Sequence, residues 1–275
     1  MFSLKNNGKL LFIVPRLMGM TSQAAVLKAP GPLLLAMEAR APWEFGIAFA
    51  SIPWLLRAPR GDGHGVVVFP GLAATDTSTL PLRTFLRERG YEAHGWRLKR
   101  NLGPRAGILE QSVEQVRALR ARTGRRVSLL GWSLGGIYAR EIAKQLPDDV
   151  RCVITLATPF TGSPLATNAW RIYELLSGHS LDDPQLLAQV REPPPVPTTS
   201  ILSRTDGVVS WRCCLEKRAR QVENIDVPAS HFGIGLNPAA WFAVADRLSQ
   251  REGEWKPFHR DGWRRLVYGD LQRGR

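Results

Sequence analysis

The sequence predicts an α/β fold, with a mostly parallel sheet flanked by helices. Three observations carry this expectation. Short apolar runs rich in β-branched residues occur at 66–69, 127–130 and 152–156, as expected of strands buried on both faces. Amphipathic stretches separate them at 78–89, 108–122 and 134–145. The alternation continues from residue 65 to 249 without an internal repeat or a separate linker.

The elements follow in order. Residues 66–69 form a first strand between Gly65 and the Pro70-Gly71 turn. Residues 78–89 follow as a helix with Leu82, Phe85 and Leu86 on one face and Gly90 as its stop. A second strand is expected within 91–98. The clearest helix is 108–122, with Leu109, Val113, Val116 and Leu119 at helical spacing and Gly124 at its end. Strand 127–130, helix 134–145 and strand 152–156 come next. The segment 159–197 breaks this rhythm, with a helix-like piece at 170–176 and a proline-rich exit at 193–197. It reads as a cap inserted over one end of the sheet. Strands at 199–202 and 222–227 and a last helix at 238–248 complete the domain. Its organisation is therefore an N-terminal helical arm (1–64), a domain over 65–250 with its cap at 159–197, and a basic, aromatic C-terminal tail (251–275).

Composition bounds the function. Of 275 residues, 44% are hydrophobic and 22% charged, which argues against long disorder. The net charge of +13 is spread along the chain, and Arg117, Arg120 and Arg122 sit where a helix dipole favours cations. Nucleic acid is therefore not the expected partner. Three cysteines exclude a disulfide scaffold, and the adjacent Cys213 and Cys214 suit neither a structural bridge nor a zinc half-site. A reducing, cytoplasmic setting is expected. Near the N-terminus, Lys5 and Lys9 precede apolar residues 10–14, but Pro15 and Arg16 end a run too short for a secretory signal. Residues 32–56 are apolar but interrupted by Glu38, Arg40, Pro42, Glu44 and Pro53. They read either as an arm packed on the domain or as a peripheral membrane contact through Trp43, Phe45, Phe49 and Trp54.

The chemistry centres on Gly131-Trp132-Ser133-Leu134-Gly135, which joins strand 127–130 to helix 134–145. This is a G-x-S-x-G pattern in strand–turn–helix context. The turn needs small neighbours, and the serine meets a helix N-terminus that favours developing negative charge. Ser133 is the expected nucleophile. It needs a general base, and the chain offers five histidines, of which His231 lies in the loop before the last helix. Asp206, just after strand 199–202, is the expected acid, with Asp226 as its competitor.

With Phe69-Pro70-Gly71-Leu72 upstream and Asp206 and His231 downstream, the sequence resembles an α/β-hydrolase of the lipase/esterase type over roughly residues 60–250. The resemblance implies the α/β-hydrolase fold and a Ser133–His231–Asp206 triad. It also implies an oxyanion hole from the Leu134 and Leu72 N–H groups, although Pro-Gly stands where many lipases carry His-Gly. The implied reaction is cleavage of a small-molecule or lipid ester through an acyl-enzyme, with medium or longer acyl chains under an apolar cap. No metal or organic cofactor is implied. A thioesterase, an acyltransferase or a non-catalytic protein on the same fold are the alternatives. In the loop after the second strand, Trp96, Arg100, Asn101, Gly103 and Pro104 are candidates to line the pocket or to bind an acidic group, while Arg100 and Asn101 are expected rather to brace that loop.

Overall fold

A computed structural model describes residues 27–178 and 184–271. The apolar residues 10–14 with their flanking lysines, and His179 in the cap, lie outside the described residues.

Ten α-helices, four short 3-10 helices and six strands are seen among the described residues. The arm contributes α1 (Pro32–Ala36), α2 (Ala41–Ala50) and α3 (Ile52–Leu55). Then come β1 (Gly65–Phe69), α4 (Asp76–Glu88), β2 (Glu92–Gly95), α5 (Ile108–Thr123), β3 (Val127–Trp132), α6 (Leu134–Gln145) and β4 (Val150–Leu156). The cap holds α7 (Trp170–Ser177) and α8 (Pro184–Arg191). The chain continues through β5 (Thr198–Leu202), β6 (Val222–Asp226), α9 (Pro238–Leu248) and α10 (Arg264–Val267).

The sheet is parallel throughout, in the order β2-β1-β3-β4-β5-β6. Side-chain alternation divides its apolar residues between two cores. Val66, Val68, Leu130 and Ile154 face α4 and α9, where Leu82, Leu86, Trp241 and Val244 pack. Val67, Phe69, Leu129 and Val153 face α5 and α6, meeting Val116, Leu119, Tyr138 and Ile142. Burial on both faces explains why these strands read as continuous apolar runs. The sequence order reverses between β1 and β3, and such a switch point opens a crevice beyond the strands' carboxyl ends.

Several boundaries differ from those expected. Helix α4 starts at Asp76 rather than residue 78, because the Ser78 hydroxyl donates back to the Thr75 carbonyl (2.8 Å) and lies within the first turn. Strand β2 falls within the expected 91–98 and ends at Gly95. There the Asp76 carboxylate accepts the N–H groups of Trp96 (3.0 Å) and Arg97 (3.1 Å), and Arg97 takes φ 61°, which ends pairing. The second cap helix, α8, was not expected. The tail packs inward: Phe258 and Tyr268 are buried, and the Tyr268 hydroxyl donates to the Ala239 carbonyl (2.9 Å). Trp54 of the arm stacks on Phe242 of α9, with ring centroids 5.0 Å apart, and meets Trp263 of the tail edge-on. It therefore belongs to the packed side of the arm, unlike the exposed Trp43, Phe45 and Phe49. The three cysteines are unpaired; Cys213 and Cys214 lie buried in a small apolar cluster with Leu202, Val208 and Val209.

Candidate active site

Ser133 ends β3 and opens α6 with φ 52° and ψ −122°, an uncommon conformation for a residue with a side chain. The surrounding turn holds it there. The Ser133 N–H donates to the Leu156 carbonyl of β4 (2.7 Å), and the Thr158 hydroxyl donates to the Ser133 carbonyl (2.9 Å). A side chain at Gly131 would strike the backbone of Gly135 and Gly136, and one at Gly135 would strike the Phe69 carbonyl at the end of β1. The glycines of the motif are therefore required by close approach of helix to sheet.

His231 and Asp206 converge on this serine from loops remote in sequence. His231 Nε2 lies 3.1 Å from Ser133 Oγ, and His231 Nδ1 lies 2.8 Å from Asp206 Oδ2. Asp206 and His231 are nearly fully buried. An ionised carboxylate only accepts, so it takes the Nδ1–H and leaves the Nε2 lone pair facing the serine hydroxyl. The other Asp206 oxygen accepts the N–H groups of Val208 (2.8 Å) and Val209 (2.7 Å), which aims the carboxylate. Burial opposes charging of the imidazole. The Asp206 charge, its hydrogen bond and the Glu38 charge together outweigh this, and the His231 pKa stands above its usual value. Asp226 is turned elsewhere: its carboxylate pairs with Arg204 (3.1 Å) and accepts the Arg204 N–H.

The other histidines stand apart. His64 precedes β1 and bonds Asp62 and Ser128, at the opposite end of the sheet. His94 on the edge strand β2 pairs with Glu92. His259 lies in the tail.

The loop after β1 lies against the serine. A Cβ placed on Gly71 would sit 3.5 Å from Ser133 Cβ, and Leu72, Ser133 and Leu134 line one cavity. Among the described residues, neither the Leu72 nor the Leu134 N–H takes part in the backbone bonds of turns and loops. Asn101 shapes this loop from the side. It is fully buried, its amide donates to the Pro70 carbonyl (2.8 Å), and its backbone exchanges bonds with Ala73 and Ala74. Asn101 therefore braces the neighbouring loop as well as its own, where its Oδ1 accepts the Gly103 N–H. Trp96 is buried against Tyr138, and Pro104 lines the cavity.

The cavity has a volume of about 270 Å³ and runs from Ser133 beneath the cap. Phe160, Trp170, Tyr173, Leu187 and Val190 of the cap form its far walls. Phe160 also packs on the domain under the Arg140 guanidinium, whereas Leu165, Ile172 and Leu175 are exposed.

Sequence reasoning missed the arm's part in this site. Glu38 and Glu44 are buried, and their carboxylates reach the loops that carry Asp206 and His231. The available signal was the placing of charged residues within the apolar run 32–56. Trp132 was also missed: its indole N–H donates to the His231 carbonyl (3.1 Å).

No family model matches the chain, and no curated protein matches it. Solved structures do. Lipase B of Aspergillus fumigatus is 20% identical and aligns with TM-score 0.50, over 69% of this chain and 53% of the lipase. The chain thus spans about half the length of that lipase. The monoacylglycerol lipase of Paleococcus ferrophilus is 15% identical, with TM-score 0.48 over 68% of this chain and 96% of the lipase. A pyrethroid hydrolase from Sphingobium faniae is 19% identical, with TM-score 0.49 over 68% of this chain and 98% of the hydrolase. At 20% identity the likeness to lipase B is one of fold alone, and a parallel sheet flanked by helices is that of the α/β-hydrolase fold.

Proposed function

We propose that this chain is a serine hydrolase that cleaves carboxylic esters. The observation that carries the proposal is the continuous chain Asp206–His231–Ser133, opening at Ser133 into an apolar cavity. In this reading Ser133 Oγ attacks the acyl carbon while His231 Nε2 takes its proton. Asp206 holds the ring in the required tautomer and stabilises the imidazolium. The Leu72 and Leu134 N–H groups receive the oxyanion, at the N-terminus of α6 where the helix dipole also favours negative charge. His231 then returns the proton to the leaving alcohol, and water repeats the sequence on the acyl-enzyme.

The walls under the cap supply hydrocarbon and aromatic surface, which supports esters of medium or longer acyl chains. The exposed side of the arm supports contact with a lipid surface: Trp43, Phe45 and Phe49 are 77%, 49% and 72% exposed. Among the described residues no helix is long and apolar enough to cross a membrane, so such contact would be peripheral. The unpaired cysteines support a cytoplasmic location.

The test is p-nitrophenyl ester turnover by the purified protein, with fluorophosphonate labelling to report the nucleophile. Ser133→Ala is expected to abolish labelling and to lower kcat/KM by at least ~10³-fold with the fold intact. Near-normal turnover by the folded variant removes the mechanism.

A further inference from the structure

Glu38 belongs to the arm, outside the chain segment that carries the triad, yet its carboxylate sits among the triad's supports. Its Oε1 accepts the N–H of Gly207 (2.7 Å) and the N–H of His231 (2.9 Å). Its Oε2 accepts the N–H of Phe232 (3.1 Å). One buried side chain thus ties the residue after Asp206 to His231 itself. A buried carboxylate is costly unless its oxygens are satisfied, and three backbone donors meet that need here.

The arm repeats the arrangement beside it. Glu44 accepts the Ser230 N–H (2.8 Å) and hydroxyl (2.7 Å), while Arg40 bonds Glu44 (2.9 Å) and the Thr205 hydroxyl (2.8 Å). The loops are cut to receive the arm. A Cβ on Gly207 would lie 2.8 Å from the Leu35 Cα, and a side chain on Gly233 would strike the Glu44 carboxylate. The Asn168 amide of the cap joins the Gly207 carbonyl (2.8 Å) to the Pro30 carbonyl of the arm (3.0 Å).

We propose that Glu38 is a positioning residue for the triad: its carboxylate clamps the acid-bearing loop to the base-bearing loop and so fixes His231 between Asp206 and Ser133. The proposal rests on the serine-hydrolase reading for its kinetic consequence, but not for the geometry of the clamp. The charged groups acting on the ring are Asp206, from the loop after β5, and Glu38, from the arm. Glu44 and Arg40 lie beside them on the arm, paired with each other. Glu38 therefore also holds the ring's charge, in the direction that favours the imidazolium.

The experiment is Glu38→Gln in the full chain, read by steady-state kinetics across pH and by the NMR titration of His231 without substrate. The amide keeps the shape but loses the charge and presents N–H where an acceptor is needed. A misplaced base is expected to lower kcat by about 10²-fold, with KM changed by less than about threefold. Loss of the negative charge lowers the His231 pKa, so the acid limb of kcat/KM moves to lower pH. A purely structural role would lower activity without moving that limb. Should Glu38→Gln fail to fold, Glu38→Asp keeps the charge with a shorter reach. It is then expected to lose kcat with the limb unmoved, and full activity in Glu38→Asp overturns the proposal. A kcat within about threefold of wild type in Glu38→Gln, or an unmoved limb and titration, also overturns it. A wild type that turns over no ester, but whose His231 pKa falls on Glu38→Gln, removes the hydrolase reading and retains the clamp.

Discussion

At Asp206 the two carboxylate oxygens have different partners, and that difference decides what an amide would do there. Oδ1 is pinned by the N–H groups of Val208 and Val209, while Oδ2 faces His231. In Asp206→Asn the amide oxygen must take the Oδ1 position, because both backbone groups donate. The amide N–H then points at His231 Nδ1 and imposes the wrong tautomer, with a proton on Nε2 facing Ser133. The expected loss is about 10³–10⁴-fold in kcat, with the fold retained. Asp226, whose partner is Arg204, lies away from His231. Asp226→Asn is expected to leave kcat within about threefold and to cost about 1 kcal/mol of stability or less, since Arg204 is partly exposed. Paired kinetics on the two variants check this, and the reverse order would mean that the geometry does not report the working acid.

At the scale of elements, the proposed ester hydrolysis gives α7 and α8 a bearing on substrate choice. Their Trp170, Tyr173, Leu187 and Val190 wall the cavity that reaches Ser133. Each methylene buried there should contribute about 0.8 kcal/mol, so two added carbons should raise kcat/KM roughly tenfold until the cavity is filled. A series of p-nitrophenyl esters from acetate to decanoate is expected to rise and then level. Trp170→Ala should flatten the rise. A steady fall from acetate onward would make this a small-acyl enzyme. The elements also differ in how far the sequence disclosed them. Helices α6 and α9 were legible to the residue, because a motif or an Asn-Pro start and a clear apolar face bound them. The strands were legible as cores but not at their ends: Thr198 pairs with Val153 and Val222 through backbone bonds that side-chain type does not signal, and Val150 pairs with Val127 across a bulge at Arg151. The approach of Ser133, His231 and Asp206 to one another was legible because their chain order and loop positions follow from the fold. The Glu38 clamp was not, because it joins residues 169 and 193 positions apart through backbone N–H groups that leave no pattern in composition or periodicity.

Over the whole molecule, the arm has two sides of opposite character. Its carboxylates, Glu38 and Glu44, are turned inward onto the loops of the site, while Trp43, Phe45, Ile47 and Phe49 remain outward. The outer side thus shows apolar side chains with no exposed acid among residues 27–58, and the chain as a whole carries +13. Near an anionic bilayer each basic residue at the surface contributes about 1 kcal/mol, and salt screens this within roughly 8 Å at physiological ionic strength. Insertion of the aromatic side chains does not depend on salt in that way. The full-length protein is therefore expected to sediment with vesicles containing anionic lipid at low salt and to be partly released at physiological salt. Trp43→Ala combined with Phe49→Ala should remove the binding that survives salt. Because the same arm holds the His231 loop from its inner side, ester turnover measured on those vesicles should change with binding in the wild type and not in the double variant. No sedimentation at either salt would show that the outer side of the arm does not meet a lipid surface.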